Sequence, residues 1–217
     1  MKPIHSVLLL LTMLLAAAPL SAAGFKEGVH YERLAAAQPV DTPDKVEVRE
    51  LFWYACPHCY KFEPLLHDWL EKKPDDVVFV RMPAVFGPSW ELLARAYYTA
   101  EALGVVDRVH QPLFDYLHKL RKRLRTPTDV KALFVKQGID GDAFDKAWHS
   151  FPVVTKTNRS RRVQELYGVT GVPTLIVNGK YRTTATLAGG NQKMLQVIDY
   201  LVGLERKQLA AGAKGAR

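Results

Sequence analysis

Cys56-Pro57-His58-Cys59 contains the only two cysteines of a 217-residue chain. Thiols at this spacing suit one kind of chemistry. On a helix, positions i and i+3 share a face, so the two sulfurs can bond to each other and trade that bond with a third thiol. Pro57 fits the first helical position, where its missing N–H costs nothing. Cys56 then stands at the helix N-terminus, where unpaired amides and the positive end of the helix dipole favour a thiolate. Cys59 falls one turn in, where it is more buried. Cys56 is therefore expected to be the low-pKa nucleophile and leaving group, and Cys59 the resolving thiol. His58 can add positive charge or a hydrogen bond beside Cys56. Whatever favours the thiolate favours the reduced pair and makes the disulfide a stronger oxidant, by about 30 mV per 1.4 kcal/mol.

Other uses of the pair fit less well. A Cys56–Cys59 disulfide closes so small a loop that it adds little to fold stability. A structural zinc needs four ligands, and there is no second cysteine pair. His58 and His67 do not fall in a ligand pattern. No metal or cofactor is expected.

The leader bears on the redox setting. Lys2 and His5 precede an apolar run, Val7 to Ala18, that Pro19 breaks, and Ser21-Ala22-Ala23 offers small residues for cleavage after Ala23. That run is too short for a membrane-spanning helix, so residues 1–23 read as a signal peptide. Both cysteines follow it, in a compartment that permits disulfides. The formal charge of +8 becomes +7 once Lys2 leaves with the leader. Such a surface suits acidic partners or anionic lipid, and export argues against nucleic acid.

Around the pair the chain reads as ordered elements. Tyr31 to Leu34 suggests a short edge strand, and Val46 to Tyr54 a central strand leading straight into the cysteines. Pro57 to Lys73 reads as a helix with Phe62, Leu66, Trp69 and Leu70 on one face; Pro64 removes one backbone bond. Val77 to Met82 is a second strand, completing a parallel βαβ unit. From Ser89 to Phe151 the periodicity is helical throughout. Within it, His118 to Arg125 reads as a solvated helix face over Leu117, Leu120 and Leu124. A helix over Val154 to Tyr167, a hairpin over Thr174 to Thr183 turning at Asn178-Gly179, and a helix over Gln192 to Arg206 follow. This order describes an α/β fold with an inserted all-helical domain.

The run from Glu50 to Glu63, ELFWYACPHCYKFE, resembles the active-site segment of the DsbA family of bacterial thiol:disulfide oxidoreductases. The likeness extends over about residues 25–206 and includes Gly171-Val172-Pro173-Thr174. It implies a thioredoxin fold, a mixed central sheet flanked by helices. The expected division is a thioredoxin-like domain over 24–88 and 152–206, an inserted helical domain over 89–151, and a flexible tail over 207–217. By the same resemblance, Val172-Pro173 is a cis-proline loop that packs on the cysteines and binds extended substrate peptide. Glu50 is implied to be a buried acid that transfers protons or pairs with a cation. Arg81 stands where the family often has lysine, and Glu63 has a similar implied role. Trp90, Phe86 and Val172 are candidates for an apolar surface near the site.

The implied activity is a periplasmic monomer that gives its disulfide to newly exported or unfolded cysteine-containing proteins. A quinone-linked membrane partner of the DsbB kind would reoxidise it. The low nucleophile pKa and the oxidising potential come with this resemblance. An exported reductase or isomerase is the nearest alternative, although isomerases of this class carry a dimerisation domain and Phe25 to Val46 is too short to be one. A peptide-binding, chaperone-like module is the alternative outside redox chemistry.

Overall fold

A seven-residue strand, β2 (Val46–Phe52), is buried along its whole length and is the centre of the molecule. In the computed structural model of the chain the described residues are 24–215, so the leader and its cleavage after Ala23 lie outside them. Helix α1 (Pro57–Lys72) carries the chain from β2 to β3 (Val77–Pro83). β3 pairs parallel with β2, from Val46 opposite Val77 to Phe52 opposite Pro83. On the other side of β2, β4 (Thr174–Val177) runs antiparallel, and β5 (Tyr181–Thr184) follows it through a hairpin. The edge strand β1 (Glu32–Arg33) is shorter than Tyr31 to Leu34, and it gives the order β1-β5-β4-β2-β3. This is the mixed sheet expected of a thioredoxin fold.

Burying both faces of β2 takes charged groups out of water, and they are paired accordingly. Arg49 meets Glu47 at 2.8 Å and Asp41 at 3.4 Å. The hairpin turns on Asn178 and Gly179, with φ of 49° and 63°, the positive pair a type I′ turn requires. A side chain at Gly179 has no room, because its Cβ would stand 2.1 Å from Gln38 O.

The helical block comprises α2 (Pro88–Ala102), α3 (Val106–His118), α4 (Pro127–Lys136) and α5 (Gly141–Trp148). Thr126 and Asp129 form a capping box on α4, and Asp140 caps α5. The block is not helical throughout. Lys119 to Arg125 is a loop, and Leu120, expected in an apolar stripe, is 53% exposed. Like charges four residues apart, Lys119 with Arg123 and Arg121 with Arg125, oppose a further helical turn. Burial of Leu124 also draws the chain back inward.

Helix α6 (Phe151–Leu166) starts before Val154, with Pro152 in its first turn, and packs on α2, α5 and β3. A four-residue helix, α7 (Ala185–Ala188), follows β5. Helix α8 (Asn191–Gly215) passes the expected end at Arg206, because Lys207 to Ala211 are good helix formers with no breaker among them.

Besides a small cluster around Leu51, Tyr167 and Ile176, two large apolar cores result. One lies between α1, the sheet and α8, around Phe62, Leu66, Val177 and Ile198. The other fills the helical block and includes Phe52, Tyr54, Cys56 and Cys59. The cysteines therefore sit on the seam between sheet and helical insert.

Candidate active site

β2 ends at Phe52, and the Cys56 N–H closes a turn onto Trp53 O at 3.0 Å. Cys56 is the N-cap of α1, in extended backbone conformation. Its sulfur does what a serine or aspartate oxygen does at other helix starts: Sγ accepts the Cys59 N–H at 3.5 Å. Both cysteines are thiols. Cys56 is 7% exposed at the rim and Cys59 is fully buried, while Pro57 and His58 are open to solvent.

The two sulfurs are driven apart in acidity. Cys56 is lowered to about 6. The Cys59 side chain, hydrogen-bonding the Cys56 sulfur, does most of this. Partial burial opposes it, and the backbone amides of Cys59 and His58 and the charge of His58 add to it. Burial pushes the Cys59 thiol far above the ordinary range, and its hydrogen bond to Cys56 and the charge of Glu50 push it further.

The loop before β4 closes over the first sulfur. Val172 O accepts the Cys56 S–H at 3.4 Å, and the Val172–Pro173 peptide bond is cis. Val172 is half-buried and Pro173 buried.

Beneath the pair, Glu50 is fully buried on β2 and stands opposite Arg81 of β3. Neither Glu50 oxygen has a hydrogen-bond partner among the described residues, and Arg81 Nε lies 3.5 Å away. Arg81 reaches further, to Glu63 Oε2 at 3.1 Å. Arginine in the lysine position thus spans both carboxylates. Burial raises the Glu50 pKa to about 8, the neighbouring Glu63 charge adds to this, and Arg81 opposes it. Glu50 carries its proton at neutral pH. Burial also pushes Glu63 upward, but the hydrogen bond from His110 and the charges of His110 and Arg81 outweigh it and hold Glu63 below the usual range.

Three contributors were not legible in the sequence. His110, on α3, places Nε2 3.3 Å from Glu63 Oε2 and Nδ1 2.9 Å from Tyr54 Oη. Burial lowers its pKa, and the hydrogen bond and charge of Glu63 oppose that shift. A cleft of about 600 Å³, lined in part by Glu63, Arg81, Asp107 and His110, opens beside this group. His118, at the end of α3, places Nε2 2.8 Å from Tyr54 O and stacks on Tyr60 at 4.9 Å. Trp53 stacks on Trp90 at 4.0 Å, and Phe86 meets Trp90 edge-on at 4.9 Å. The apolar rim expected from Phe86 and Trp90 thus forms around Trp53. Val172 and Trp53 both pack on the core cluster that holds the cysteines.

Chemically, the arrangement offers one ionisable sulfur at the surface, one buried sulfur that keeps its proton, and a protonated carboxylic acid below them. That combination suits thiol–disulfide exchange.

Comparison with known proteins points the same way. Residues 78–202 match the family described as a DSBA-like thioredoxin domain. The thiol:disulfide interchange protein DsbA of Azotobacter vinelandii is 46% identical over 187 residues, which is 86% of this chain and 87% of that protein. The protein of the same description from Pseudomonas aeruginosa PAO1 is 41% identical over 203 residues, covering 91% and 96%. Among solved structures, Pseudomonas aeruginosa DsbA superposes with a TM-score of 0.81 at 42% identity, covering 88% of this chain and 97% of that one. The oxidoreductase DsbA of Xylella fastidiosa gives 0.77 at 31% identity, covering 82% and 96%.

Proposed function

The chain belongs to the DsbA family of thioredoxin-fold thiol:disulfide oxidoreductases, and on that footing we propose that it works as a periplasmic disulfide donor through Cys56. The observation that carries the reading is the split between the sulfurs: Cys56 lowered to about 6 at the rim, Cys59 raised and buried. In the oxidised protein, a substrate thiolate attacks Cys56 Sγ. The Cys56–Cys59 bond breaks and Cys59 leaves as a thiolate. Protonated Glu50, whose charge acts on Cys59, returns a proton to it. A second substrate thiolate then attacks the substrate sulfur of the mixed disulfide, and Cys56 leaves as the stabilised thiolate. The substrate loses two electrons, which stay on the reduced dithiol.

Each site residue has a place in this scheme. Pro57 starts the helix whose amides hold the thiolate, and His58 adds charge beside it. Val172 and Pro173 offer the edge along which an extended substrate binds, with the Val172 carbonyl already turned to Cys56. The leader over 1–23 takes the chain across the membrane and is cut after Ala23. The mature protein acts as a monomer on newly exported cysteine-containing proteins, and a DsbB-like quinone-linked membrane protein reoxidises it. No helix among the described residues is long and apolar enough to cross a membrane.

The deciding measurement is the Cys56–Cys59 equilibrium against glutathione, followed by the fluorescence of Trp53. The expected pair is strongly oxidising, with the reduced form favoured. A potential more reducing than about −200 mV would overturn the donor role and point to an exported reductase.

A further inference from the structure

We propose that the loop Lys119–Arg125 is a docking surface for acidic stretches of the polypeptides that this site oxidises, an inference that rests on the donor reading above. The loop has five cations in seven residues and no acid. The side chains of Lys119, Arg121, Lys122, Arg123 and Arg125 are all exposed, and Arg121 has a left-handed backbone, φ 52°. Among the described residues, none of the five comes within ion-pair distance of a carboxylate. Elsewhere on this surface some cations find acids, as in Lys156–Glu101 and Arg161–Glu91, and single ones such as Lys61 and Lys136 stand alone among the described residues; this loop gathers five in seven residues. Here the positive charge is left open.

Its placement gives that charge a use. The loop leaves α3 at His118, whose ring holds Tyr54 O at 2.8 Å and stacks on Tyr60. Tyr54 lies two residues before Cys56 and Tyr60 four after it. At its far end, Leu124 is buried in the cluster that holds both cysteines. The loop's start is thus fixed to the turn that presents Cys56 and its far end to the core of the helical block, and the cations between them face water beside the site. The Asp129 carboxylate, which accepts the Arg125 and Thr126 N–H at 2.9 Å, offsets one of these charges, and the remaining net charge of about +4 acts over roughly 8–10 Å at physiological salt. That is the reach of the few residues flanking a substrate cysteine, so acidic flanks gain in encounter rate. Leu120 is the loop's one exposed apolar side chain, which gives a lipid surface little to bury.

Two reduced peptides, identical except for three aspartates or three lysines around one cysteine pair, test this. Each rate of reducing the oxidised protein is divided by that peptide's rate with neutral hydroxyethyl disulfide, which removes the effect of the flanks on thiol acidity. The expected acidic-to-basic ratio is roughly tenfold at low salt and falls towards one at high salt. It also falls towards one in the triple variant Arg121→Asn, Lys122→Gln, Arg123→Gln, in which asparagine tolerates the left-handed position. A ratio near one in the unaltered protein, or one that survives the triple variant, overturns the proposal. So does a ratio near one together with flotation on anionic vesicles that the variant loses, which would assign the loop to a lipid surface. Failure of the donor reading looks different: both peptides stay reduced, and this proposal falls with it.

Discussion

Replacing Cys59 by alanine leaves Cys56 as the chain's only thiol and removes the largest cause of its low pKa, the hydrogen bond from the Cys59 side chain. The consequences follow from linkage. In the folded, reduced protein Cys56 ionises at about 6, against an ordinary 9.0. An acid lowered by folding adds nothing below its folded value. Its contribution grows from about pH 6 to pH 9 and is complete above pH 9. At pH 7, one unit above the folded value, it amounts to about 1.4 kcal/mol. Water reaching the sulfur at the rim screens part of this, leaving on the order of 1 kcal/mol. The oxidised protein has no thiolate and gains none of it. Reduced protein should therefore melt higher than oxidised protein at about pH 8, with the gap closing towards about pH 5.

A hydrogen bond to a charged group contributes about 1.5–3 kcal/mol, and a thiol is a weak donor, so the lower end applies. Cys59→Ala should raise the Cys56 midpoint by about one unit. The backbone amides and His58, which remain, keep it below the ordinary value. Thiolate absorbance in the ultraviolet, titrated from acid to alkaline pH with Cys56→Ser as the blank, reads both midpoints. A midpoint near 8 or above in the unaltered protein would refute the helix-start account of the nucleophile, and a Cys59→Ala midpoint that does not move would refute the part given to the Cys59 thiol.

Glu50 is an acid raised by folding, from 4.5 to about 8, so it increasingly destabilises the fold as pH rises through that window. Glu50→Gln mimics the protonated form and should stabilise the protein at pH 7 by on the order of 3 kcal/mol, with almost no gain near pH 4. The same variant should slow stopped-flow reduction of the disulfide tenfold or more, because Cys59 loses its proton donor; lower stability at neutral pH would contradict the assignment. Arg81→Met takes the 3.1 Å partner from buried Glu63 and should cost about 3–5 kcal/mol in urea unfolding. A loss under about 1 kcal/mol would mean that the carboxylates do not need the cation. Gly179→Ala places a Cβ against Gln38 O in a left-handed turn, and should cost more than about 2 kcal/mol by thermal melting. An unchanged melting temperature would show that the Gln38 segment yields freely.

What could be read from the sequence follows the range of the forces involved. Cys56 and Cys59 are three residues apart, and their roles depend on a helix start that Pro57 announces locally. The hairpin was legible for the same reason, since Asn178-Gly179 carries its turn in two adjacent residues. The pairing of Glu50 with Arg81 came only with the family resemblance, and the parallel register of β2 and β3 sets the two opposite each other. The misread elements are those in which a local pattern competed with something distant. Leu117, Leu120 and Leu124 suggested one stripe, but charge repulsion and burial of Leu124 alone broke the helix at His118.

His110 shows where local reading ends and what the insert is for. In the sequence it is a lone histidine beside Val109 and Leu113, and nothing near it hints at a partner. In the fold, α3 sets it between Tyr54, two residues before the nucleophile, and Glu63, one turn after the resolving cysteine. Eight residues further along α3, His118 holds the backbone of the same Tyr54. The insert thus grips the cysteine turn from one side with two histidines, while Val172 meets the sulfur from the sheet. The motif sets which atoms react; the insert packs over the cysteines and, through His110, acts on Glu63, the charge beside Glu50. Substitutions on α3 should therefore shift the chemistry of the pair without touching either sulfur.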